Sequence, residues 1–282
     1  MKLALCVGIN DYPGTNADLW GCVNDAIDLK EKFEQKGFEV INLCDEDATK
    51  EKIISTMENI IAQLSNGDQF IFSYSGHGTY VNDTSGDEED GFDEALYTYN
   101  GPLIDDKIGE VLDTIPRGVK TWVIFDSCFS GTATRIEGHT WRRKFIAPQD
   151  YNPNIPVKSR FKEMEGFDWV FFSGCDVYEY SYDAYIDGRY NGAFTRYLLW
   201  SIDMSSADPT FEEVYKILRT YLPSDDFPQT PQIEGKEENF QLKIFGSDIP
   251  EPEPEPEPQL SWWQELLVKF ISWLIQWLNN HN

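Results

Sequence analysis

Two side chains suited to nucleophilic catalysis follow apolar segments of the chain. His77 comes just after the segment QFIFSYS (69–75), and Cys128 follows the segment TWVIFDS (121–127). A thiol with an ordinary pKa of about 8.5 is mostly protonated at neutral pH, and a nearby imidazole can remove its proton and later protonate an amine leaving group. The two residues therefore predict acyl transfer by a Cys-His dyad, with the backbone amides of Gly78 and Cys128 as candidate donors to an oxyanion.

For the two residues to meet, the segments before them must be neighbouring strands. Short apolar runs alternate with amphipathic stretches through the first half of the chain, which predicts βαβ units and a mostly parallel sheet with helices on both faces. Ligands gather outside the carboxyl ends of such strands, and both candidate residues lie there. The predicted strands are 3–9, 38–43, 69–75 and 121–127, and the predicted helices lie near 24–36, 49–64 and 105–115.

The second half divides into four further regions. Residues 132–166 are rich in turn signals and are predicted to form a loop-like linker. Regular patterns return with a strand at 168–175, helices at 193–202 and 211–222, and a last strand at 240–245. The predicted organisation is a catalytic region, the linker, a smaller region completing the sheet, a spacer and a tail, at 1–131, 132–166, 167–247, 248–259 and 260–282.

The last two regions differ in character from the rest of the chain. The repeat EPEPEPEP (251–258) predicts a stiff, extended spacer. Residues 260–278 are apolar and rich in tryptophan, and on a helix their polar positions form one narrow stripe. We expect this amphipathic tail to bind a membrane interface or to associate with protein.

Charge and cysteine content limit the partners and the compartment. The chain has 49 acidic against 23 basic side chains, a formal net charge of -26, which disfavours nucleic acid and favours basic peptides. Its five cysteines are irregularly spaced, which fits neither a disulfide framework nor a zinc site. We expect reduced thiols and a cytoplasmic protein, with membrane association as one of the two roles open to the tail.

Several blocks resemble those of metacaspases and bacterial caspase-like proteins over residues 3–245. The resemblance implies a caspase-like three-layer α/β fold with a mostly parallel six-stranded sheet, and a cysteine endopeptidase with His77 and Cys128 as its catalytic pair. The blocks are GCVNDA (21–26), YSGHG (74–78), DEEDGFDEAL (87–96), IDDKI (104–108), DSCFSG (126–131) and NGAFT (191–195).

The resemblance also implies a pocket for a basic side chain at the cleaved bond. The pocket maps onto Asp25 and Asp126, with Cys22 and Ser75 as neighbours, and two carboxylates beside the nucleophile favour arginine or lysine there. An alternative is that Asp25 caps a helix and Asp126 orients a loop.

Calcium is a second implication, because many metacaspases bind it through acidic residues. Asp90, Asp93, Asp105 and Asp106 match those positions and offer the oxygen donors that calcium prefers. Arg135, however, stands where an aspartate is expected seven residues after the nucleophile. We therefore expect no cofactor to be required, and calcium to bind weakly or not at all. The alternative for the acidic stretch is a solvated loop.

The linker holds an unusual share of the basic residues and so resembles a substrate for such a pocket. We expect self-cleavage within it. Two other functions stay open: a caspase-like scaffold, and a regulator of a membrane-active tail. The basic residues are Arg135, Arg142, Arg143, Lys144, Lys158, Arg160 and Lys162.

Overall fold

The strands that precede His77 and Cys128 lie side by side in the centre of a six-stranded sheet. The computed structural model of the chain describes residues 1–82, 92–128, 141–148, 169–176 and 179–246. Five strands of the sheet are parallel and an edge strand is antiparallel, in the order β12-β9-β7-β3-β1-β2. These strands are β1 (Lys2–Gly8), β2 (Glu39–Cys44), β3 (Gln69–Ser75), β7 (Lys120–Asp126), β9 (Val170–Ser173) and β12 (Gln232–Glu234).

Helices cover both faces of this sheet, as the alternating pattern predicts. Side chains alternate between the faces along each strand, so that Phe70 and Phe72 enter one buried cluster and Ile71 enters the other. The first cluster includes residues of α2 (Lys50–Ile61) and α3 (Asp105–Leu112). The second includes residues of α1 (Cys22–Gln35), α4 (Ala193–Met204) and α5 (Phe211–Tyr221).

Two small antiparallel sheets flank the carboxyl ends of the central strands. The first contains β4 (Gly78–Asn82), β5 (Phe92–Thr98) and β6 (Gly101–Ile104). The second contains β8 (Trp141–Arg143), β10 (Tyr182–Ile186) and β11 (Arg189–Gly192). The period-2 signal in these short strands is weak, and the sequence prediction missed them.

The fold class agrees with the prediction, whereas two local predictions were wrong. The sixth strand of the sheet is β12, and residues 240–245 form no strand, because the chain there makes a 3₁₀ turn at Glu237–Gln241 and then a single bridge from Lys243 to Thr210. The linker is also not loop-like throughout, since β8 within it pairs with β10. The spacer and the tail lie outside the described residues.

The described residues contain no helix long and apolar enough to span a membrane.

Candidate active site

The pairing register of β3 and β7 brings the residues that follow these strands, His77 and Cys128, to the same edge of the sheet. Ser75 pairs with Asp126 across the two parallel strands, and His77 and Cys128 each stand two residues further along. Both side chains are buried, at 2% and 1% exposure. This register places both residues at the carboxyl edge of the sheet, and their pairing as a catalytic dyad stays a prediction.

His77 is held by tyrosines and by a backbone carbonyl. Its amide donates to the Tyr12 hydroxyl (2.8 Å), and the Tyr74 hydroxyl donates to its carbonyl (2.8 Å). Its Nε2 lies 2.5 Å from the carbonyl oxygen of Ala17, a contact in which the ring nitrogen donates. The proton therefore sits on Nε2, and Nδ1 is the basic nitrogen.

Burial lowers the pKa of His77 to about 4, and the Ala17 carbonyl opposes that shift. Burial raises the pKa of the Cys128 thiol to about 12, opposed by a hydrogen bond with the Ser181 backbone. Near neutral pH the His77 imidazole and the Cys128 thiol are therefore both uncharged.

Lys144, from the linker, occupies the centre of the site. Its side chain is fully buried, with Nζ 2.8 Å from Ser75 Oγ, 3.0 Å from Asp126 Oδ1 and 3.3 Å from Asp25 Oδ2. Burial alone would lower the pKa of Lys144, but attraction to Asp126, Asp25 and other neighbours outweighs it and holds the pKa well above its ordinary value. The lysine is therefore a buried cation paired with two carboxylates.

The backbone of Lys144 is held as firmly as its side chain. Its carbonyl oxygen accepts hydrogen bonds from the amides of Gly78 (2.9 Å) and Cys128 (3.3 Å), and its amide donates to the carbonyl of Ser181 (3.0 Å). The two amides that sequence analysis assigned to an oxyanion thus converge on the carbonyl between Lys144 and Phe145. This geometry fixes the carbonyl against the residue that carries the thiol.

The chain on either side of Lys144 is extended and paired. Before it, β8 runs antiparallel to β10. After it, Phe145 forms a bridge with Gly78, and the amide of Ile146 donates to the Gly78 carbonyl (3.0 Å). The segment crosses the site as an added strand, which is a common way for proteins to bind extended peptides.

The carboxylates around Lys144 come from the first turn of α1 and the end of β7, and they face the N-terminal end of α4. Asp25 accepts from the Gly192 amide (2.9 Å to each oxygen) and from the Asn191 side chain (3.0 Å). Asp126 accepts from the amide (3.0 Å) and hydroxyl (2.7 Å) of Thr195. Amides at a helix N-terminus stabilise carboxylates, so both charges are fixed in place.

The other two pocket residues named from the sequence also lie here. Ser75 donates to Asp25 (2.6 Å). Cys22 is a buried neighbour: burial raises the pKa of its thiol, and Lys144 and a hydrogen bond with Ser75 oppose that rise. Both aspartates contact Lys144 Nζ. Both also accept from amides at the N-terminal end of α4, so the helix-capping alternative for Asp25 stands beside the pocket prediction.

Four contributors were missed by sequence reasoning. Asp183 is a third buried carboxylate near Lys144, whose pKa is raised to about 7 by burial against the opposing effect of Lys144. Tyr12 and Ala17 position the histidine, and Lys144 itself was only one of seven basic linker residues. The Ala17 contact uses a backbone carbonyl, so no side-chain pattern could have identified it.

The acidic residues assigned to calcium are only partly described. Asp93 and Asp105 are both buried, and burial together with Asp106 and Asp93 raises the pKa of Asp105 to about 7. Oδ2 of Asp105 is buried without a hydrogen-bond partner in the described ranges, which suits a cation. Within those ranges no three candidate ligand side chains converge, and Asp90 and Arg135 lie outside them. The calcium prediction stays open.

Together the fold and site define a class, the caspase- and metacaspase-like cysteine peptidases. Residues 1–241 match the family model described as "Caspase domain". The chain belongs to that family.

Named relatives and a solved structure agree with this assignment. Metacaspase-1 of Cryptococcus neoformans is 37% identical over 148 residues, covering 47% of this chain and 32% of the relative. Metacaspase-2 of Arabidopsis thaliana is 31% identical over 198 residues, covering 65% and 47%. The crystal structure of protein GSU0716 from Geobacter sulfurreducens has 30% identity and a TM-score of 0.67, covering 86% of this chain and 98% of that one. The chain thus spans about a third to a half of the length of these two metacaspases.

Proposed function

We propose that this chain is a cysteine endopeptidase that cleaves after lysine and arginine with a His77-Cys128 dyad, and that it cleaves its own linker between Lys144 and Phe145. The observation that carries the proposal is the seating of Lys144: its ammonium group lies between Asp25 and Asp126, and its carbonyl accepts from two amides at the dyad. This is the arrangement that a bound substrate would need.

The reaction follows from these contacts. His77 Nδ1 takes the proton of the Cys128 thiol, and Sγ attacks the carbonyl carbon of Lys144. The resulting oxyanion keeps the hydrogen bonds from Gly78 and Cys128. When the C–N bond to Phe145 breaks, the imidazolium protonates the leaving amine and a thioester remains. The imidazole then deprotonates a water molecule, which attacks the thioester and releases the Lys144 carboxylate and the thiol.

The pKa values fit a resting state that has not yet reacted. While Lys144 is seated, burial disfavours both charged forms of the dyad. Departure of the cleaved segment would admit water, raising the pKa of His77 and lowering that of Cys128 toward ordinary values. Self-cleavage would therefore both open the pocket and favour the thiolate-imidazolium pair.

A panel of fluorogenic peptides tests this function. Peptides that differ only in the last residue before the reporter, with lysine, arginine, glutamine or aspartate, should be hydrolysed only when that residue is basic. Cys128→Ala should abolish turnover, and Cys44→Ala, a cysteine on edge strand β2, serves as the matched control. Equal turnover of the glutamine peptide would refute the specificity. Retained turnover by Cys128→Ala would refute the dyad.

The linker also has the geometry of a tethered inhibitor, and the peptide assay separates the two roles. If the chain remains whole and inactive until Lys144 is substituted, the segment is an inhibitor and self-cleavage is refuted.

A further inference from the structure

The two arginines before Lys144 each rest on an aromatic ring of the body of the protein. The guanidinium carbon of Arg143 lies 3.8 Å from the centre of the Tyr180 ring, and that of Arg142 lies 3.6 Å from the centre of the Trp20 ring. Arg142 also donates through Nη1 to the backbone carbonyl of Asp18. A flat guanidinium stacks on an aromatic face, which an ammonium group does less well.

Both rings belong to parts of the chain that other contacts hold in place. The Trp20 amide donates to Asp183 (2.6 Å), and its ring packs 4.9 Å from the ring of Tyr190 on β11. Tyr180 stands next to Ser181, whose carbonyl accepts from the amide of Lys144. The two aromatic faces are therefore fixed at successive positions along the path of the bound segment.

We infer that Tyr180 and Trp20 form two further specificity subsites, selecting arginine at the second and third residues before the cleaved bond. The inference rests on the proposed function and deepens it. The preferred substrate is an extended Arg-Arg-Lys segment whose backbone is free to pair with the site as a strand. The linker sequence Trp141-Arg142-Arg143-Lys144 is an example of such a segment. The net charge of -26 attracts any polybasic chain, whereas the stacked rings distinguish arginine from lysine.

Four fluorogenic peptides test the assignment on the processed wild-type chain. They carry Trp-Arg-Arg-Lys, Trp-Ala-Arg-Lys, Trp-Arg-Ala-Lys and Trp-Lys-Lys-Lys before the reporter. Each alanine should lower kcat/KM by roughly 3- to 30-fold, the range that cation-π contacts span. The all-lysine peptide keeps the charge and loses the planar groups, so its kcat/KM should also fall. Its hydrolysis at the rate of the arginine peptide would show general electrostatic attraction and overturn the inference.

Variants then assign each preference to its ring. Trp20→Ala should remove the preference at the third residue only, and Tyr180→Ala that at the second residue only. Trp20→Phe keeps an aromatic ring and should retain part of the preference for arginine at the third residue. This result would show that the effect of Trp20→Ala is not a general loss of folding. Tyr99→Ala is the matched control, because Tyr99 is a half-buried aromatic in the turn after β5, where its amide donates to the carbonyl of Ala48 (3.1 Å).

The outcomes separate this inference from the function on which it rests. Equal kcat/KM for all four peptides in the wild type, with cleavage after lysine, would overturn the two subsites and leave the endopeptidase intact. A preference that survives in both ring variants would also overturn them. Hydrolysis of none of the peptides would overturn the proposed function itself.

Discussion

Asp25→Asn should slow self-cleavage of the linker by about two to three orders of magnitude. The substitution keeps the shape of the side chain, and its remaining oxygen can still accept from the Gly192 amide. It removes one of the two carboxylates that contact Lys144 Nζ, leaving Asp126 at 3.0 Å. Breaking a buried ion pair costs about 3 to 5 kcal/mol, and about 1.4 kcal/mol corresponds to a factor of ten in rate. The surviving carboxylate places the expected loss at the lower end of that range.

The assay is the first-order disappearance of the intact chain on a denaturing gel, beside Asp28→Asn as control. Asp28 contacts Asn191 (3.0 Å) and Arg189 (2.6 Å), and no hydrogen bond or ion pair joins it to Lys144 in the described residues. The control should cleave at the wild-type rate. Thermal melting first establishes that Asp25→Asn is folded. If this folded variant then cleaves its linker as fast as the wild type, Asp25 does not bind the lysine and the pocket is wrongly assigned.

Three further predictions concern the pocket, the histidine and calcium. Gly192→Ala should block self-cleavage, because its methyl group would overlap Lys144 Nζ and the carboxyl oxygens of Asp25 and Asp126; processing at the wild-type rate on a gel would contradict this. Because the pKa of His77 is lowered to about 4, stability should fall as pH drops from 6.5 to 4. The test uses denaturant melts at pH 7 and pH 4 of Cys128→Ala with and without His77→Gln. Adding His77→Gln should make the fall in unfolding free energy between the two pH values smaller by about 3 kcal/mol. An equal fall in both proteins would contradict the buried neutral imidazole. Self-cleavage should persist in excess chelator, since Arg135 replaces an expected ligand, and a strict calcium requirement would refute that.

The central part of the fold could be predicted because its strands are long and uniformly apolar. All seven residues of both β3 and β7 are buried, so the apolar runs and the polar residues that follow them locate the sheet edge at which His77 and Cys128 lie. Short strands carry less signal. β12 has three half-buried residues whose pattern is typical of a loop. The apolar residues of 240–245 have the pattern of a strand, although Ile244 and Phe245 are buried in the second cluster without pairing in the sheet.

The family resemblance named Asp25 and Asp126 as a pair, but nothing in the sequence identified Lys144 as the residue that lies between them. Seven basic residues lie in the linker, and nothing in their order distinguishes Lys144 from Arg142 or Arg143. The choice depends on register: β8 pairs Arg143 with Tyr182 of β10, which leaves Lys144 opposite Ser181 and above the pocket. Pairing between strands about forty residues apart is a tertiary property, and local pattern cannot reveal it.

The most direct test of the account is to identify the new N-terminus of the processed chain. Wild type and Cys128→Ala are incubated side by side, and the fragments are analysed by N-terminal sequencing and intact mass. The account predicts one early cut in the wild type, with a fragment that begins Phe145-Ile146-Ala147, and none in Cys128→Ala. A first cut after any other basic residue of the linker, or the same cut in Cys128→Ala, would contradict it.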